Sequence, residues 1–285
     1  RGPPRFTQSG SSAASDVYKR QVKGHSDPPG YTWEKDGTRL EDVDLERDIG
    51  IIARSKTAPL LMVLPDGHIA AVHDAWPGET DKTDYAYRPT LLGDYGHGRL
   101  CMVDGKAAVQ AHLHFSGGYG HQHADALSLL LYGNGQELLP DIGYTHTAWR
   151  VWTTSSASHN TVAVDSRLQK SSGPGGALQL YSPQPGPVQA IEAIQPGAYP
   201  GVVTEFRRRL IQVRVSPDKS YVVDVFRVQG GQQHEYFLHG SAWFPQTAEV
   251  SLPLQPVPGT LLGPDAQFEF PRSEAVEGKA PEGKQ

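Results

Sequence analysis

The sequence predicts a mainly β protein folded as a multilayered antiparallel β-sandwich. From Leu60 onward, short apolar stretches of β-forming residues are broken by turn residues at roughly ten-position intervals, the texture of antiparallel sheet. Over the same span long helices are nearly absent and strands never alternate with amphipathic helices, which argues against a doubly wound sheet. With 285 residues, 38% of them apolar, the chain is long enough to bury a sizeable core and too apolar for the disordered class.

Taken in order, residues 1–21 (RGPPRFTQSGSSAASDVYKRQ) are polar, Ser-rich and without apolar periodicity, and a disordered or non-native leader is expected there. Residues 22–58 read as a linker ending in a short helix over Leu45–Ser55, weakened by Gly50 in its middle. Strands are expected in LLMVL, HIAAV, LCMV, AAVQAHLHF, LSLLLY and QELLPDIGY, with the GNG turn setting a hairpin centred near Asn134. Further strands are expected in HNTVAVD, EFRRRLIQVRV, SYVVDVFRV and HEYFLHGSAWF. The Gly/Pro/Gln-rich stretch from Ser171 to Pro200 reads as long loops with one or two strands. Arg207, Arg208 and Arg209 alternate across their strand, and a solvated edge is the expected setting for them. The β domain is expected to span 59–270, with a polar tail over 271–285. The missing initiator Met and this tail suggest a fragment cut at both ends.

Composition narrows the function classes. The single cysteine, Cys101, cannot form an internal disulfide, so the fold rests on packing or on a metal. A net charge of −5, from 26 Lys and Arg against 31 Asp and Glu, argues against sequence-independent nucleic-acid binding. No apolar run is long enough to span a membrane, and no signal peptide is visible.

Histidine is the outlying residue type: seven of the 12 fall between His97 and His159. In HQHAD, the side chains of His121, His123 and Asp125 share one face if the segment is extended. The hairpin would return Asp141 opposite Leu127, on that same side. His159 opens the next strand-like run. Two imidazoles and a carboxylate with water in the fourth position suit tetrahedral zinc, which makes His123, Asp141 and His159 the candidate ligands. The same residues also suit an ordinary buried polar network without metal.

Three separated motifs, GHQHADALSLLLYGNGQELLPDIGY, WRVWTTSSASHNTVAVD and YVVDVFRVQGGQQHEYFLHG, resemble the C-terminal β-sheet region of the heparinase II/III-like polysaccharide lyases. The likeness runs from about Leu60 to Pro245. It implies a β-sandwich that normally follows an α/α-toroid domain, here missing apart from a short helical remnant near Leu45–Ser55. It also implies cleavage of a uronic-acid-containing acidic polysaccharide by β-elimination, with a site-organising zinc on His123, Asp141 and His159. His121 matches a histidine that faces the active site in the family. Tyr144 and Tyr119 are further catalytic candidates, although aromatic packing is the simpler role for each. Arg150, Trp152 and Asn160 are candidate substrate contacts, with Arg150 equally suited to covering neighbouring aromatics. Expected partners are the polysaccharide and the toroid domain, with a homodimer also admitted. The expected location is periplasmic or secreted. A non-catalytic carbohydrate-binding or cell-surface sandwich retaining the metal is the alternative, and a zinc hydrolase a weaker one.

Overall fold

A computed structural model describes residues 44–102, 107–118, 120–147, 149–241, 247, 249 and 251–253. The expected leader (1–21), most of the linker and the polar tail lie outside them. The chain divides into two units, Arg1–Ala58 and Pro59–Gln285. In the first, the expected single helix is two short ones, α1 (Leu45–Asp48) and α2 (Gly50–Ser55). Ile49 between them is extended, and Gly50 becomes the first residue of α2, where it interrupts no helical turn. The Asp44 carboxylate accepts hydrogen bonds from the backbone N–H groups of Glu46 and Arg47, capping α1.

The second unit contains antiparallel sheets. Strands β1 (Thr90–Leu92), β2 (His97–Met102), β3 (Val109–His114), β4 (Ser128–Gly133) and β5 (Gln136–Leu139) form a five-stranded meander. After β6 (Val162–Val164), strands β7 (Ala177–Ser182), β8 (Val188–Ile194), β9 (Val203–Ser216) and β10 (Lys219–Gly230) form a four-stranded sheet. A short strand β11 (His234–Tyr236) pairs with β6. The β4–β5 hairpin turns on Asn134 and Gly135, both at positive φ, as the GNG sequence predicts.

The two large sheets pack face to face. Leu100, Ala111, Leu113 and Leu129 of the first meet Ile191, Ala193, Phe206 and Leu210 of the second. All six residues of β2 are buried. The outer face of its sheet is therefore covered as well, and the covering layer is the segment expected to hold strands LLMVL and HIAAV. That segment is instead a 3-10 turn (Pro59–Met62) followed by isolated bridges, Val63 to Ile69 and His68 to Thr80. Its Met62, Leu64, Ala70 and Val72 close on Leu130 and Tyr132. Buried Arg99 anchors the layer, donating hydrogen bonds to the carbonyl oxygens of Val63 (2.8 Å), Arg88 (2.9 Å) and Tyr85. Short apolar runs fail to distinguish a strand from a packed irregular segment, because both bury apolar side chains.

The arginine run is also corrected. β9 lies between β8 and β10, so it is not an edge. Arg207 and Arg209 pair with Glu192 on one face, whereas Arg208 points into the protein and is fully buried. Arg208 is held by both carboxylate oxygens of Asp224 (3.0 and 2.6 Å) and donates to the carbonyls of Leu127 (2.7 Å) and Asn160. These two carbonyls belong to the segments that carry His123 and His159.

One titration prediction arises in β5. Burial pushes the Glu137 carboxyl up to about 7, with repulsion from Asp66 adding to it. A carboxyl whose folded value lies above its unfolded one contributes stability at low pH and loses it as pH rises through about 7. Glu137→Gln is therefore expected to raise Tm relative to wild type above pH 7 and to leave it nearly unchanged below the ordinary carboxylate range. Melting curves over pH 4 to 9 check this; a variant less stable than wild type at the alkaline end would contradict it.

Candidate metal and active site

Four chain segments converge beside the end of the five-stranded sheet: 73–74, 121–125, 141–144 and 150–160. HQHAD is not the extended run expected of it. Gly120 and His121 both take positive φ, and the residues that follow form no strand. Period-two alternation is thereby lost. His121 turns outward with its side chain 86% exposed, while His123 and Asp125 turn inward. The hairpin register also differs: the turn is centred between Asn134 and Gly135 and not on Asn134, an irregularity between Leu131 and Tyr132 shifts the pairing by one more residue, and the ladder stops at Leu139. Asp141 reaches the site from beyond the strand.

The structure brings His123, Asp141 and His159 together, all buried, with one ligand atom of each within 4.8 Å of the others. Their hydrogen bonds fix which atoms face inward. His123 Nε2 lies 2.9 Å from Asp74 Oδ1, so this nitrogen carries the proton and donates it. His159 Nδ1 likewise donates to the carbonyl of Ser155 at 2.7 Å. The remaining nitrogens, His123 Nδ1 and His159 Nε2, then face each other at 3.2 Å as bare lone pairs. Asp141 Oδ1 accepts from the Gly143 N–H at 2.8 Å, whereas buried Oδ2, 3.5 Å from His159 Nε2, receives no hydrogen bond. Three electron-rich atoms converging without a donor are what a divalent cation satisfies. A proton is a poor substitute, because burial, with His159 nearby, holds the His123 imidazolium form below its ordinary range. The residues therefore fit a metal, with Asp74 and the Ser155 carbonyl as the outer groups that orient its imidazoles.

Gly143 has a positional reason. At φ +63 its added Cβ would lie 2.6 Å from the Ala75 carbonyl oxygen, which accepts the Tyr144 N–H. Gly143→Ala is expected to lower the affinity for a divalent metal at the Asp141 site, since the Gly143 N–H steers that carboxylate; unchanged affinity by calorimetry would refute the link.

Asp74 is the functional residue that the sequence reading missed. Its carboxylate accepts from both terminal guanidinium nitrogens of Arg150, from His121 Nδ1 (2.9 Å) and from His123 Nε2. Its backbone N–H donates to the His121 carbonyl at 3.2 Å. Partial burial works against its ionised form, but Arg150, His123 and His121 outweigh this and hold the carboxyl below its usual range. The only signal in the sequence was a His-Asp pair after an apolar run, a pattern too common to single out.

The other candidates divide. Arg150 opens the short helix α3 (Arg150–Thr153), not a strand, and places its guanidinium 4.8 Å above the Tyr144 ring. Tyr144 meets exposed Trp76 edge-on, with ring centroids 4.6 Å apart. Arg150 thus has an internal acid partner and an aromatic one. Trp152 is half-buried, edge-on to His239. Asn160, a candidate substrate contact, has its amide engaged within the protein. It is buried, its Nδ2 donates to the Pro140 carbonyl and its Oδ1 accepts from the His239 N–H, so it ties the site together from inside. Tyr119 lies outside the described residues.

Residues 94–270 match the family model described as heparinase II/III-like, C-terminal. An exo-oligoalginate lyase of Saccharophagus degradans is 29% identical over 189 residues, covering 56% of this chain and 25% of that protein. A heparinase III gene product superposes with a TM-score of 0.53 at 20% identity, covering 64% of this chain and 33% of its own. The heparan sulfate lyase HepC of Pedobacter heparinus gives a TM-score of 0.50 at 16% identity, again over 64% and 33%. The chain thus spans a quarter to a third of the length of these relatives, and the structural likenesses show the fold alone.

Proposed function

Because the chain belongs to the heparinase II/III-like C-terminal family, we propose that it forms the β-sandwich part of a polysaccharide lyase that cleaves a uronic-acid-containing polymer, heparan sulfate-like or alginate-like, by β-elimination. The observation that carries this reading is His121: an exposed imidazole fixed by Asp74 beside a convergent metal-ligand set. Zinc is the ion of choice for two neutral imidazoles and one carboxylate. When bound, it ties the loops of His123, Asp141 and His159 together and so keeps the platform for His121 rigid.

In the elimination, the proton at C5 of the uronate leaves, the C4–O4 bond breaks, a C4–C5 double bond forms and O4 departs with a proton. Asp74 accepts the Nδ1 proton of His121, which leaves Nε2 as a lone pair directed outward. That nitrogen suits proton abstraction from C5, or, when protonated, neutralisation of the uronate carboxylate. Tyr144 presents a phenol beside Arg150 for the leaving oxygen, and Trp76 extends the aromatic surface on which a sugar ring would rest. The remaining acid and base groups are assigned to an α/α-toroid domain, with the polymer lying between the two parts. A periplasmic or secreted location follows from such a substrate, and no helix among the described residues is long and apolar enough to cross a membrane.

The test is product analysis of the complete gene product on alginate and on heparan sulfate. Unsaturated uronate ends absorbing in the ultraviolet are expected, with the rate falling by about 10²- to 10⁴-fold in His121→Ala. Saturated, water-derived ends would overturn elimination, and an unchanged His121→Ala rate would remove that residue from the chemistry.

A further inference from the structure

A second group of buried donors, His73, His114 and Asp125, lies next to the first but shares no residue with it. His114 belongs to a line of hydrogen-bonded imidazoles on the outer face of β2 and β3, and the line has one consistent protonation pattern. Gln110 Nε2 donates to the Ala86 carbonyl, which fixes Gln110 Oε1 as an acceptor. His112 Nε2 must therefore donate to it at 3.1 Å, leaving His112 Nδ1 to accept from His97 Nε2 at 3.0 Å. His97 Nδ1 in turn accepts from His114 Nδ1 at 3.2 Å, so His114 Nε2 emerges as a lone pair.

That lone pair has the Ser116 hydroxyl at 3.0 Å and His73 Nε2 at 2.9 Å as neighbours, and the group left without a donor is the carboxylate behind them. His73 Nδ1 already accepts the His123 backbone N–H at 3.1 Å, yet lies 3.2 Å from Asp125 Oδ2. Asp125 Oδ2 is also 3.7 Å from His114 Nε2 and receives no hydrogen bond, although the side chain is only 4% exposed. An anionic oxygen without a donor thus sits against two imidazole edges in the interior, a costly arrangement without a cation. His73, Asp125 and Ser116 line a cavity of about 10 Å³, enough for one water. Two further buried side-chain oxygens without donors, Gln122 Oε1 and Gln195 Oε1, belong to residues lining the same cavity.

We propose that His73, His114 and Asp125 form a second divalent-metal site of the zinc type, ligated by one ring nitrogen of each histidine and by Asp125 Oδ2, with cavity water completing the shell. The two sites interleave: His73 and Asp74 are adjacent, and His123 and Asp125 are separated only by Ala124. One residue of each segment ligates the second ion, and the other ligates or orients ligands at the first. The second ion would fasten the covering layer, through His73, to the sheet through His114.

The experiment uses the 285-residue chain, stripped with chelator and titrated with zinc alone. Calorimetry and elemental analysis are expected to give about two equivalents for wild type and about one for either His159→Ala or Asp125→Asn. The equivalent retained in Asp125→Asn also reports that the variant is folded. His73→Gln, which keeps much of the ring's volume, is expected to behave like Asp125→Asn and stands in if that variant fails to fold. A single wild-type equivalent, removed by His159→Ala and kept by Asp125→Asn, would overturn the second site and leave the first intact, with a proton on His73 as the occupant. A single equivalent removed by Asp125→Asn and kept by His159→Ala would support the second site and overturn the first.

Discussion

His159→Ala is expected to lose the ion held with His123 and Asp141, and with it much of the chain's resistance to heat. The substitution removes one of three inward lone pairs and leaves Asp141 Oδ2 buried without a partner. Ligand linkage sets the scale: with free metal a thousandfold above Kd, losing the site costs about 4 kcal/mol. For a unit of this size that corresponds to a fall in Tm of roughly 8–16 °C. His123→Ala should be at least as damaging, since it also frees Asp74 from one of its donors. Chelator should lower the wild-type Tm by at least this amount and the variant's by less, since the variant has only the ion of His73, His114 and Asp125 left to lose. Equal zinc content in wild type and both variants would sink the site.

Arg208→Ala is expected to cost about 3–5 kcal/mol, because removing one partner of a buried ion pair strands the other. Here the stranded groups are the Asp224 carboxylate and the carbonyls of Leu127 and Asn160. The double variant Arg208→Met with Asp224→Leu should recover much of the loss. Arg207→Ala, on the half-exposed face with Glu192, should cost less than about 1 kcal/mol. Chemical denaturation of the three variants checks the order. An effect of Arg208→Ala no larger than that of Arg207→Ala would mean that the buried contacts carry no net stability.

The contrast between those neighbouring arginines shows what was legible in the sequence. Alternation correctly places Arg208 on the face opposite Arg207 and Arg209, but which face is buried depends on β9 being the interior strand of its sheet. That is a pairing fact no local pattern contains. The Asn134-Gly135 turn was legible because its geometry demands positive φ at both positions. His123, Asp141 and His159 were legible as a spaced motif although the extended conformation assumed for HQHAD is wrong. Convergence of the three ligands survives the change in backbone, whereas the grouping of Asp125 with them does not. Asp74 and the His73, His114 and Asp125 group were hidden for another reason: the partners of His73 and Asp74 lie 41 to 76 positions away, and only the folded covering layer brings them into range.

The Asp74 carboxylate is shared between a metal ligand, His123, and an outward-facing imidazole, His121. A shared hydrogen-bond acceptor makes the two positions thermodynamically reciprocal. If filling the metal site sharpens the orientation of His121 and so tightens the grip on a sugar by some factor, the sugar must tighten the grip on the metal by that same factor. Substrate would then protect the protein against chelation, and metal scarcity would read out as weakened saccharide affinity.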